Sequence, residues 1–156
     1  MEQRDLELEQ RVWQRVSGMA PAGEKPSLCE KTSLGEMERR CRESASVFRQ
    51  LAQISAGQMR ETLQELHRQE YGNALTILGM RILAGEEPEK TVCCPWTKTG
   101  TCRALALAYR RSCQARGDYA AHAASGEYAP VFAAMAQAEG EKMGRILALI
   151  GLSKGG

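Results

Sequence analysis

Two histidines and six cysteines are the residues of this 156-residue chain best suited to hold a metal or carry covalent chemistry. Asp118 and His122 stand four apart, about one helical turn, and could share a metal ion. Two ligands are too few for a site, so a solvent-facing polar pair is the alternative. His67 beside Glu70 is open to the same two readings. Cys93, Cys94 and Cys102, in "CCPWTKTGTC", could bind zinc as thiolates, yet the segment holds no C-x-x-C and no His. Packing under Trp96, with the thiols as small hydrophobes, is the plainer reading, and a disulfide or redox role is the third. Cys29 and Cys41 add little. Arg103, Arg110, Arg111 and Arg116 would make their helix basic, to dock an acidic ligand or to pair with Glu86, Glu87 and Glu89. Glycine-rich phosphate loops, a nucleophile elbow and paired catalytic carboxylates are absent.

These residues need elements to position them, and the composition points to helices. Ala, Gly, Leu, Arg and Glu dominate, aromatics are few, and β-branched runs are nearly missing. One core is expected from this length. With 21 Lys+Arg against 19 Asp+Glu, no global field argues for nucleic acid or an anionic membrane. No stretch approaches a membrane span, and the charged N-terminus "MEQRDLELEQRVWQRV" lacks the apolar region of a secretory signal. A cytoplasmic protein with free thiols is therefore expected.

Leu6, Leu8, Val12, Trp13 and Val16 give residues 5–19 an amphipathic pattern, read as a helical arm, and residues 20–35 read as a linker. Ser33 with Glu36 forms a capping box that opens a first long helix, about 34–54. Ser55 with Gln58 offers a second capping box. The helix after it runs through Met59, Leu63, Leu66, Tyr71, Ala74, Leu75, Leu78, Ile82 and Leu83 to Gly85 as its C′ residue. A third helix is expected over about 102–124, through Leu105, Tyr109, Cys113 and Tyr119. A fourth starts near Pro130 and includes "AQAEGEKMGRILALIG", ending at Gly151. Short connections make two antiparallel hairpins. The roughly 16 residues between them can stretch about 53 Å, enough to run the length of a helix about 40 Å long. That permits one long crossover.

"RVWQRV" near the start, "RILAG" closing the second helix and "PVFAAMAQAEGEKMGRILALIG" as the last, together with the crossover, resemble the ferritin-like superfamily, nearest its rubrerythrin-like branch in clostridial bacteria. The resemblance covers about residues 5–152. It implies an all-α, ferritin-like four-helix bundle (36–152), an N-terminal arm and linker (1–35), a disordered tail (153–156) and a homodimer. It also implies a di-iron centre, built from a Glu on the first and third helices and Glu-x-x-His on the second and fourth. This chain departs from that pattern everywhere. Counting back seven from Phe48 and Tyr119 reaches Cys41 and Ser112, and aligning on "RILAG" and on the last helix puts Gln69, Gly72, Gly140 and Met143 at the remaining positions. Nor does any register help, because His67 and His122 follow Gln64 and Tyr119 at three residues.

Small or apolar groups in place of a metal-free carboxylate cluster remove repelling, desolvated charge. Glycines inside helices, at Gly72, Gly79, Gly117, Gly140 and Gly144, then call for close helix approach, since each costs up to about 1 kcal/mol relative to Ala. The expectation is a non-catalytic structural or interaction protein with no cofactor and no nucleic-acid or membrane partner. Two alternatives stay open: an iron-binding oxidoreductase with atypical ligands such as Asp118, His122, Glu70, Glu139 or a cysteine, and a zinc or thiol redox protein resting on Cys93, Cys94 and Cys102.

Overall fold

The structure is a computed structural model that describes residues 31–87 and 100–155. The arm and linker to residue 30, Cys29, Cys93, Cys94, Trp96 and Glu89 lie outside the described residues. Four helices follow in order: α1 (Leu34–Gln53), α2 (Gly57–Leu83), α3 (Thr101–Ala123) and α4 (Ala129–Gly155). None is long and apolar enough to cross a membrane.

Caps explain most of the boundaries. Ser33 Oγ accepts from the Glu36 N–H at 3.1 Å, satisfying a free donor at the start of α1. The Glu36 carboxylate turns to Arg39 rather than back to the cap. The second expected capping box does not form. Ser55 donates its hydroxyl to the Leu51 carbonyl at 2.7 Å, closing α1, and α2 begins after Ala56 on Gly57, whose φ of +62° favours glycine. At the far end Gly85 takes φ +82°, its N–H bonds the Ile82 carbonyl, and the Glu86 N–H bonds the Arg81 carbonyl, a Schellman closure. Pro130 sits in the first turn of α4 as expected. That helix runs through Gly151 to Gly155, so the expected tail at 153 is helical there. Ser153 bonds the Ile150 carbonyl at 2.9 Å, and nothing in this stretch breaks the pattern.

Cross-helix contacts fix the topology. Arg81 meets Glu38 and His67 meets Ala45, so α1 and α2 are antiparallel. Tyr119 packs on Phe132 near one end of the α3–α4 hairpin. Between the hairpins α1 touches α3, with Cys41 on Tyr119, and α2 touches α4, with Glu65 near Arg145 and Glu70 on Lys142. Both pairs are antiparallel, which leaves α2 and α3 diagonal and parallel. The chain thus leaves α2 at one end of the bundle and enters α3 at the other. That is the geometry of a lengthwise connection.

Two apolar clusters fill the interior. One, at the end where α1 finishes and α2 starts, is built on Phe48, Leu51, Leu63, Leu66, Leu105 and Ile146. The other, at the opposite end, holds Met37, Ala74, Ile77, Met80, Tyr119 and Phe132. The inward stripe of α2 is therefore Leu63, Leu66, Glu70, Ala74, Ile77 and Met80. Tyr71, Leu75, Ile82 and Leu83, expected inside, are 45%, 46%, 55% and 77% exposed. Cys113, also expected along the packed face of its helix, is exposed. The glycines need correcting too. A methyl group would meet only the Arg116 side chain at Gly140, and nothing within 4 Å at Gly72, Gly79, Gly117 or Gly144, so helix crowding within the described chain does not account for those four.

Candidate functional site: a polar layer inside the bundle

Half-way along the bundle the inward stripes change character. On α2 the sequence of buried positions Leu63, Leu66, Glu70, Ala74 and Ile77 carries one carboxylate. On α4 the series Phe132, Met135, Glu139, Lys142, Ile146 and Leu149 carries a carboxylate and an ammonium in consecutive places. α1 contributes Cys41 and α3 contributes Ser112, each about 3% exposed. Periodicity alone drives these side chains inward, because helical residues three and four apart share a face.

The centre of the layer is Lys142, whose side chain is fully buried. Its Nζ lies 2.7 Å from Glu139 Oε1 and contacts Glu70 Oε1, so one cation bridges two carboxylates from neighbouring helices of different hairpins. Such a group is costly to bury and requires partners, which Glu70 and Glu139 supply. Burial pushes the Glu139 carboxyl up to about 7, with the Ser112 hydroxyl opposing it in part. Burial also pushes the Lys142 amine down to about 7. Among the described residues three buried polar atoms have no hydrogen-bond partner: Glu139 Oε2, Asn73 Nδ2 one turn beyond Glu70, and Lys142 Nζ itself, whose contacts with the two carboxylates are ion pairs without hydrogen-bond geometry.

Cys41 adjoins this layer. Its Sγ and Tyr119 Oη are hydrogen-bonded at 3.0 Å, and burial pushes both groups' pKa values up, holding the thiol and the phenol protonated. A narrow cleft of about 30 Å³ runs in between α1 and α3, reaching Cys41, Ser112, Glu70 and Glu139, with Arg40 and Arg111 flanking it. It has room for about one or two water molecules.

The residues expected at the di-iron positions separate in this frame. Cys41 and Ser112 do face the interior. Gly72 is exposed, and Gln69, Gly140 and Met143 are only partly buried; the charged residues that do face inward are Glu70, Glu139 and Lys142. The signal was present in the sequence: three charged residues stand exactly in register with buried Leu, Ile, Phe and Met.

Asp118 and His122 are not a solvent-facing pair. Asp118 accepts from Thr32 Oγ1 and from Arg40 Nη1, both at 2.9 Å, and His122 Nε2–H donates to the Thr32 carbonyl at 2.8 Å while its ring packs 4.8 Å from that of Phe132. Together they clasp the residues before α1 onto the end of α3. His67 Nδ1–H donates to the Ala45 carbonyl at 2.8 Å, and its ring stacks on Tyr71, so it braces the first hairpin and does not join Glu70. Glu38 was not foreseen. It is 2% exposed and bonds both Arg42, at 2.8 Å, and Arg81, at 2.9 Å. Glu86 pairs with Arg81, whereas Arg103, Arg110, Arg111 and Arg116 form no ion pair with another described residue. Cys102 is a partly buried free thiol.

Chemically, the layer pairs opposite charges and leaves a single cation at its middle. Among the described residues no three His, Cys, Asp or Glu side chains converge to hold a metal ion. A pair of iron ions requires carboxylates and imidazoles from all four helices, and Cys41, Ser112 and an ammonium are not that donor set. No family model matches the chain, and neither a curated protein nor a solved structure does.

Proposed function

We propose that this chain is a ferritin-like bundle of the rubrerythrin-like branch that has given up di-iron chemistry and works as a structural or interaction module. The observation that carries the reading is Lys142. Glu70 with Asn73, and Glu139 with Lys142, keep the i, i+3 spacing of the Glu-x-x-His pattern, with an amide and an amine where imidazoles belong. An ammonium already neutralises the two carboxylates. A metal cation in the same place would meet it as a like charge. The layer therefore closes on itself, and the bundle needs no cofactor to bury it.

The partner in this proposal is a second copy of the chain, in a cytoplasmic homodimer. Support comes from α2, where exposed Tyr71, Leu75 and Ile82 form an apolar row at helical spacing, beside Gly72 and Gly79, which leave room for a closely approaching surface.

Elemental analysis tests the central part. Protein purified without chelator, exposed anaerobically to excess Fe(II) and desalted, is expected to retain no iron or zinc in proportion to chain. Two irons per chain would overturn the reading in favour of an oxidoreductase with unfamiliar ligands. Stoichiometric zinc would favour the cysteines instead.

A further inference from the structure

Away from the core, α2 carries a second stripe. Arg68, Gly72, Leu75, Gly79 and Ile82 succeed one another at alternating spacings of four and three residues, and Glu86 continues the series just past the end of the helix. That is the repeat of a coiled-coil seam. Leu75 and Ile82 are exposed, and Tyr71 adds further exposed apolar surface one turn before Leu75. We infer that this stripe is the seam of an antiparallel helix pair formed by two copies of the chain, with the two-fold axis level with Ile77.

The inference rests on the homodimer proposed above and specifies how its copies meet. A two-fold axis pairs residues that stand equally far before and after it, each pair occurring twice. Leu75 then lies opposite Gly79 of the partner subunit, Gly72 opposite Ile82 of the partner subunit, and Arg68 opposite Glu86 of the partner subunit. Each large apolar side chain finds a glycine, as a knob finds a hole, and each charge finds its opposite. Glu86 bonds Arg81 through Oε2, and a carboxylate has acceptor sites for a second arginine. Other pairings fail on the same residues. Sliding one helix by seven residues sets Ile82 against Glu65 and Glu86 against Glu61, and sliding it the other way sets Leu75 against Glu86. A parallel pair would set Arg68 against Arg68.

The pairing also gives the two glycines a use. Glycine inside a helix lowers its stability relative to alanine, and a methyl group on Gly72 or Gly79 would meet nothing within 4 Å in the chain itself. Packing within the bundle therefore does not call for them. A partner helix does, because a missing side chain lets the backbones approach and leaves space for the opposite Leu75 or Ile82. One helix from each copy makes a small interface, so the dimer is expected to dissociate on dilution.

Sedimentation of the full chain over a concentration series is expected to show particles of two chains that fall toward one on dilution. Leu75→Arg, at an exposed position, should keep the helical spectrum and weaken association about a hundredfold. Arg68→Glu should weaken it about tenfold. Gly72→Leu should raise the melting temperature of the single chain, since leucine favours helix, and still weaken association. Mixing Leu75→Cys chains with Gly79→Cys chains under oxidising conditions should join tryptic peptide 69–81 of one to the same peptide of the other by a disulfide. A chain that stays single at every concentration, as it would if its own residues 5–19 covered the stripe, overturns this inference together with the homodimer. A dimer indifferent to Leu75→Arg overturns the seam and leaves the homodimer standing. Leu75→Cys chains that link to one another in preference to Gly79→Cys chains overturn the register. The iron test bears on the buried layer alone, so the two fail separately.

Discussion

The Leu-rich end of the bundle and the layer half-way along it place opposite demands on the same four helices. At the end, Leu51, Leu63, Leu66, Leu105 and Ile146 are all completely buried and need nothing from one another except shape. In the layer, Glu70, Glu139 and Lys142 are buried just as deeply, but each is tolerable only because the others are there. One region gains stability additively from apolar area. The other is coupled, so its members cannot be judged singly. The lesson is that the ends hold the bundle up while the layer decides which helices face each other.

Breaking the coupled region should have the largest effect. Lys142→Ala strands two carboxylates in the interior and is expected to cost about 3–5 kcal/mol in urea denaturation. Part of that loss should return at pH 5, where a stranded carboxyl can take up a proton. A loss under about 1 kcal/mol would mean the layer is wet and the pairing unimportant. At the Leu-rich end, Leu63→Ala is expected to cost about 2–5 kcal/mol at every pH. The exposed Leu75→Ala should stay within about 0.5 kcal/mol in the monomer.

A pH series sharpens the comparison. Glu139 holds its proton more tightly folded than unfolded, so its contribution is complete below about pH 4.5 and is lost as pH rises through about 7. Stability is expected to fall across that window by at most about 3 kcal/mol. Glu139→Gln should remove the slope, and Leu63→Ala should leave it in place. The smallest effect is chemical. Burial holds the Cys41 thiol protonated and out of reach, so an exposed thiol such as Cys113 should be alkylated first, with Cys41 modified only on unfolding. Mass mapping of the labelled peptides would show early Cys41 modification if the layer opens readily.

The helices themselves were legible because their ends carry local chemistry: Ser33 before α1, Gly85 after α2 and Pro130 in α4 act within a few residues. The face that α2 turns inward was not. Its sequence has apolar residues on both sides beyond Glu70, and only contact with α1 and α4 selects Ala74 and Ile77 over Leu75 and Ile82. The layer was hidden for a different reason. A charge within a helix ordinarily marks the solvent side, so Glu70, Glu139 and Lys142 drop out of a pattern drawn from apolar residues alone. They become visible once the apolar stripe is extended through them by threes and fours. Cys41 and Ser112 face the interior because Phe48 and Tyr119, seven residues further along their helices, are buried on the same faces.

The account rests on Lys142 filling, in charge and in space, the place where a cation would bind. The most direct measurement is the melting temperature of the wild-type protein, taken anaerobically with a chelator and again with excess Fe(II). The account predicts curves that superimpose. A melting temperature raised by several degrees, saturating with Fe(II) and reversed by the chelator, would contradict it.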